Sequence, residues 1–159
     1  NPDVEVIAVT QRADQSVLQR LVKDADIAID CSDNFAARQA LNGACVRTGT
    51  PLVSGSAIGF EGQMTVFDSR DSASPCYACL FPPSQAVEEV RCATMGVFAP
   101  LVGIVGTLEA TEALKLLSGM GSSMTGRLML VDVRRTEFTE IRIQRQTECE
   151  VCGIKAGVT

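Results

Sequence analysis

The chain has 159 residues, 46% of them hydrophobic and 21% charged, which suits a single domain with an ordinary core. Its net charge of −5 arises from 19 acids against 14 bases with no long run of either sign, so neither nucleic acid nor a membrane surface is expected as a partner. Histidine is absent, which excludes Ser-His and Cys-His nucleophile pairs and leaves carboxylates, thiols, backbone groups or a bound nucleotide for any chemistry.

Residues 4–9, Val-Glu-Val-Ile-Ala-Val, predict a short strand, and a helix follows over about 14–23 with Val17, Leu18, Leu21 and Val22 on one side. Residues 26–30 predict a second, nearly all-apolar strand. After Cys31-Ser32-Asp33-Asn34 a helix is expected over 35–46, where Ala37, Leu41, Ala44 and Cys45 recur at helical spacing, with a stop near Gly49. Residues 50–57 read as another buried strand. This alternation predicts a parallel α/β layer.

Beyond Gly59 the pattern changes. Residues 62–67 predict a strand, 68–74 a polar turn, and Cys76-Tyr77-Ala78-Cys79 a tight knuckle. Residues 82–92, with two prolines and no clear period, read as a loop or lid. A long helix is expected over 100–117 with Gly119 as its stop, and Gly103 and Gly106, one turn apart, read as a place of close backbone approach. The most apolar stretch, 97–108, is too short to span a bilayer and is broken by Pro100, Gly103 and Gly106, so it reads as core. Residues 127–133 and 138–143 predict an antiparallel hairpin, and Cys149-Glu150-Val151-Cys152 a second knuckle. With no basic-then-apolar segment at its start, the chain is expected in the cytoplasm.

The strongest chemical signal is Cys76-x-x-Cys79 together with Cys149-x-x-Cys152. Four thiolates match a closed tetrahedral Zn²⁺ site, and the 69 intervening residues are too many for a compact ribbon, so the metal would staple a distant segment onto the domain. The alternatives are a redox dithiol, which would make the chain a thiol oxidoreductase, or unrelated buried cysteines. A second signal is Asp30-Cys31-Ser32-Asp33-Asn34 where a strand ends and a helix starts, the usual ligand position of an open α/β sheet. Acids there suit Mg²⁺ held between carboxylate and phosphate, but Ser32, Asp33 and Asn34 are equally good helix caps. A third is Cys92, beside Arg91 in the expected loop, where a thiolate nucleophile competes with plain packing. Cys31 and Cys45 read as structural. Neither GxGxxG nor GxxxxGK[ST] occurs, so no phosphate-binding loop is present in this sequence.

Taken in order, Asp30-Cys-Ser-Asp-Asn-Phe-Ala-Ala-Arg38, Pro51-Leu-Val-Ser-Gly-Ser-Ala-Ile58, Glu61-Gly-Gln-Met-Thr-Val66, Pro75-Cys-Tyr-Ala-Cys-Leu80 and Gly103-Ile-Val-Gly-Thr-Leu-Glu-Ala-Thr-Glu-Ala-Leu-Lys115 resemble the E1-like (ubiquitin-activating-like) family of ThiF, MoeB and HesA, over residues 1–153. The resemblance implies a Rossmann-like α/β fold, parallel strands followed by an antiparallel half, with a four-cysteine zinc staple. It implies ATP- and Mg²⁺-dependent adenylation of the C-terminal glycine of a ubiquitin-like sulfur-carrier protein, ThiS- or MoaD-like, for thiamin or molybdopterin synthesis, and a homodimer. By motif, Asp33 would help hold Mg²⁺ at the phosphates with Asn34 and Arg38 as supporting polar groups. Cys76, Cys79, Cys149 and Cys152 match the zinc ligands, and Cys92 the cysteine that some members place near the carrier tail for a covalent link. The family's amino-terminal ATP-loop half has no counterpart, so residues 1–159 are expected to be the carboxyl-terminal part of one such domain, inactive alone. A non-catalytic, zinc-stapled carrier-binding module and a tRNA-base dehydratase of the same family are the rival readings.

Overall fold

The computed structural model describes residues 1–84 and 95–153. In chain order these form α1 (Gln15–Lys23), β1 (Ala28–Asp30), α2 (Phe35–Thr48), β2 (Leu52–Ile58), β3 (Glu61–Phe67), α3 (Tyr77–Leu80), α4 (Ala99–Ser118), β4 (Arg127–Asp132) and β5 (Glu137–Arg142). Each long helix begins and ends where local chemistry dictates. The Asp14 carboxylate accepts from the Val17 amide at 2.9 Å to start α1, and the Asn34 side chain accepts from the Ala37 amide at 2.8 Å to start α2. Gly49 and Gly119, at φ 74° and 66°, close α2 and α4 in the left-handed conformation.

The five strands form one sheet in the order β1-β2-β3-β4-β5. β1 and β2 run parallel across the α2 crossover, with Ala28 opposite Leu52 and Asp30 opposite Ser54. From β2 onward every pairing is antiparallel, because β2 turns back at once through Gly59 and Phe60 into β3 and the chain later returns as the β4–β5 hairpin. The predicted parallel layer with an antiparallel half is therefore present.

Strand alternation assigns the two faces. Leu52 and Phe67 point to the side of α1 and α2, where they join Val22, Ala44, Cys45 and Tyr77 in one core. Val53, Met64 and Val66 point the other way, onto Ala113 and Met124 under α4. A third cluster joins Leu101 and Val105 of α4 to Val131 of β4. The result is a sheet covered by a helix layer on each face. No helix among the described residues is long and apolar enough to cross a membrane.

Two sequence expectations fail, each for a physical reason. Residues 4–9 form no strand, and Val6 and Ile7 are 84% and 77% exposed. Their apolar pattern suits a strand, but residues 4–9 pair with no strand among the described residues, and the outer edge of β1 is left open beside β2. Gly103 and Gly106 face open space, not a packed neighbour. The close approach is on the sheet beneath α4, where a Cβ on Gly55 would lie 2.5 Å from the Glu109 carboxyl carbon and one on Gly62 would lie 2.8 Å from Val105 Cγ2. Gly62→Ala should accordingly push α4 off β3 and cost about 1–3 kcal/mol, read as a lower urea midpoint at unchanged slope. An unchanged midpoint would mean the helix seat is softer than its contacts imply.

Candidate functional site

The two knuckles meet. Cys76 caps the single-turn α3 and Cys79 ends its first turn, which turns both sulfurs to one side, while Cys149 and Cys152 lie in turns after β5. The four Sγ atoms lie within 4.8 Å of one another, at 3.7 Å for Cys76–Cys149, 3.9 Å for Cys76–Cys79 and 3.4 Å for Cys79–Cys152. A tetrahedral thiolate site with metal–sulfur bonds of ~2.3 Å has edges of about 3.8 Å, so these cysteines could hold a metal ion.

Surrounding groups orient the sulfurs. Asn42 bridges α2 to the knuckle, its Nδ2 donating to Cys76 Sγ at 3.7 Å and its Oδ1 accepting from the Tyr77 amide at 2.9 Å. The Cys76 and Gln146 amides both donate to Cys79 Sγ, at 3.4 and 3.5 Å. Gly153 closes the second knuckle, donating to the Cys149 carbonyl at 2.8 Å where a Cβ would come within 2.4 Å of that oxygen. Burial, and then the neighbouring Cys79, push the Cys76 thiol up to about 11. Burial and hydrogen bonds from its partners push Cys152 up as well. Burial also acts on Cys149, but the backbone amides of Cys152 and Val151 outweigh it and hold that thiol low. Such a cluster ionises fully only with a cation at its centre, as the donor set itself implies.

The second site is a cleft of about 530 Å³ at the carboxyl ends of the parallel strands β1 and β2, with the start of α2 on one side and α4 on the other. Its wall includes Asp33, Arg38, Gly55, Gln63, Tyr77 and Glu109. Buried Asp30 sets the loop shape, its Oδ1 accepting from the Ser32 amide at 3.0 Å and the Ser32 hydroxyl at 2.6 Å. Arg38, buried in the first turns of α2, donates to the Gly55 carbonyl at 2.9 Å and to the Ser32 carbonyl, tying the loop to β2. Helix capping falls to Asn34 alone. Asp33 stands just before the cap, exposed in the cleft wall, with no hydrogen-bond partner among the described residues.

Asn34 and Arg38, expected as polar groups around a cofactor, thus spend their hydrogen bonds on the backbone while lining the cleft. Cys45 is buried as expected, but Cys31 is exposed at the cleft, a correction to its structural reading, since the strand ends before it. Cys92 lies outside the described residues.

Sequence reasoning missed Glu109. It is 4% exposed, its Oε1 has no hydrogen-bond partner among the described residues, and burial, then the Asp30 charge, push its carboxyl up to about 7. The available signal was an acid on the same helical stripe as Leu101 and Val105, which faces the sheet.

The ThiF family description matches residues 1–151. The chain is 42% identical over 153 residues to the sulfur carrier protein ThiS adenylyltransferase of Escherichia coli (strain K12), covering 96% of this chain and 60% of that protein. It is 41% identical over 155 residues to the molybdopterin-synthase adenylyltransferase of the same organism, covering 96% and 61%. The chain thus spans about 60% of the length of these curated relatives. Among solved structures, E. coli MccB with ATP superimposes with a TM-score of 0.70 over 89% of this chain and 44% of that one, at 18% identity, which establishes a shared fold.

Proposed function

Because the chain belongs to the ThiF family, we propose that the intact protein uses ATP to adenylate the C-terminal glycine of a ubiquitin-like sulfur-carrier protein, ThiS- or MoaD-like, as a homodimer. The observation that carries this reading is the cleft at the ends of β1 and β2, with Asp33 in its wall and capping left to Asn34. Attack of the carrier carboxylate on the α-phosphate, with pyrophosphate leaving, brings two anions together, so positioning and charge neutralisation matter more than a general base. A chain without histidine is suited to that demand.

Each residue has a part in it. Asp30 and Arg38 hold the loop in shape through Ser32 and Gly55, and the amino-terminal end of α2, whose dipole favours anions, lies beside the cleft. Asp33 would help hold Mg²⁺, which supplies the positive charge that polyphosphate needs in a cleft walled by Asp33 and Glu109. Cys76, Cys79, Cys149 and Cys152 would hold Zn²⁺, with no open position and hence a structural role.

The phosphate loop belongs, in this reading, to an amino-terminal half outside residues 1–159. The unpaired edge of β1 and the exposed apolar residues 4–9 support it, since added parallel strands would satisfy both. Identities of 42% and 41% to the two adenylyltransferases favour neither carrier. The test is ATP–pyrophosphate exchange by the intact protein with each carrier in turn. Exchange stimulated by one of them is expected, whereas carrier binding without exchange would leave only a binding module.

Cys92 is assigned by the same proposal to the step after adenylation, in which its thiolate attacks the carrier's acyl-adenylate, AMP leaves, and a sulfide-level sulfur donor then displaces the thiol from the thioester to give the thiocarboxylate. Cys92→Ser should lower thiocarboxylate yield far more than it lowers exchange, because adenylation needs only carboxylate, ATP and cation in register. Equal loss of both would return Cys92 to packing.

A further inference from the structure

Helix α4 buries two carboxylates three residues apart, and only one has a structural explanation. Glu112 accepts from the Met124 amide at 2.9 Å and pairs with Lys115. Among the described residues Glu109 pairs with no cationic side chain, and its Oε1 is left without a hydrogen bond. It occupies the cleft wall, and its carboxyl is seated where Gly55 has no side chain, since a Cβ there would come 2.5 Å from it. An unsatisfied buried carboxyl oxygen costs stability that a core residue of the same volume would not, so the position calls for a partner that arrives. The terminal carboxyl torsion is broad and two-fold, so either oxygen can turn to the cleft.

Its surroundings specify the form it takes there. Asp30 at the end of β1 and the Cys31 thiol bear on it from one side, and Arg38 of α2, already bonded to two carbonyls, opposes them. Asp33 shares the cleft wall, while β2 and β3 present Gly55 and Gln63, neither of which titrates. Burial and Asp30 together keep the carboxyl neutral to about pH 7, although a hydrogen bond from the Gly55 amide and the Arg38 charge act against them. A neutral carboxyl has one O–H donor, whereas an ionised one would repel the anions that the proposed reaction brings in.

We infer that Glu109 is a substrate-binding residue that donates a hydrogen bond, as the neutral acid, to an anionic oxygen of the bound substrate, either the carrier's terminal carboxylate or a nucleotide phosphate. The inference rests on the adenylation reading and adds to it a donor that must hold its own proton. Apparent affinity then scales with the protonated fraction, so KM should rise roughly fivefold between pH 7 and pH 8.

The experiment uses the intact protein, with ATP affinity measured without carrier and carrier KM measured in pyrophosphate exchange, each from pH 6 to pH 8.5. In Glu109→Gln, whose amide donates at every pH, the wild-type rise should shrink to less than about twofold, while Glu109→Ala should bind weakly throughout. A pH-dependent rise confined to carrier KM assigns the carboxylate, and one in ATP affinity the phosphate. Identical pH profiles in wild type and Glu109→Gln overturn the inference. As a check that needs no variant, the ¹³C-carboxyl titration midpoint of Glu109 should move up when ATP or carrier binds, and a downward move also overturns it. Absence of exchange by the wild type at every pH would instead sink the adenylation reading, which the carboxyl titration reports separately.

Discussion

Cys149→Ser in the intact protein should abolish stoichiometric zinc and lower the melting temperature by about 10 °C. The cluster joins two knuckles separated by 69 residues, so a metal held there would close a long loop whose entropy, treated as a cross-link, is worth about 4 kcal/mol. The sulfur spacings of 3.4 to 3.9 Å match thiolates around one ion, and Asn42 and Gln146 already direct donors at those sulfurs. A chelator should shift the wild type by a similar amount and leave Cys149→Ser unmoved. The loss should also reach the cleft, because Tyr77, between Cys76 and Cys79, stands in the cleft wall and packs its ring at a tilt against Phe81, centroids 4.8 Å apart. Metal-free protein from chelator-free purification, or a melting temperature indifferent to both treatments, would sink the staple.

What the sequence made legible follows from what each signal measures. The α2 crossover, the long α4 and the closing hairpin were readable because periodicity and glycine stops are local, and residues 35–48 and 99–118 each end at a glycine. The knuckles were readable because metal ligation imposes spacing. Pairing is not local, so the apolar residues 4–9 read as a strand though no neighbour receives them. Nor is helix seating: the glycines that matter are Gly55 and Gly62 under α4, while those in α4 itself face outward.

The site divides in the same way. Asp30-Cys-Ser-Asp-Asn announced a strand-to-helix turn, but three residues competed for one cap, and only the structure assigns it to Asn34. Arg38 was expected from the resemblance as a supporting polar group beside the phosphates, and its guanidinium also bonds two backbone carbonyls, a role that depends on where β2 lies. The burial of Glu109 could be read from its helical stripe, but its role could not, because that comes from the missing side chain of Gly55 and the charge of Asp30, neither of which is near it in sequence.

Assignment of the cap to Asn34 makes the test of Asp33 sharp. Asp33→Ala removes an exposed carboxylate that supports no hydrogen bond among the described residues, so stability should change by less than about 0.5 kcal/mol. Asn34→Ala, in contrast, removes the bond to the Ala37 amide and should cost about 1 kcal/mol. If Asp33 holds Mg²⁺ at the phosphates, Asp33→Ala should lower pyrophosphate exchange by roughly 100- to 1000-fold, the range seen when a preorganised charge-stabilising contact is lost. Asp33→Asn should keep part of the activity but need more Mg²⁺, because a neutral amide is a poorer ligand for a hard cation. The pair of readouts separates the two roles that the sequence alone left open. Near-normal exchange from Asp33→Ala at a lowered melting temperature would make Asp33 a structural residue, and would move the cation to other oxygens of the cleft.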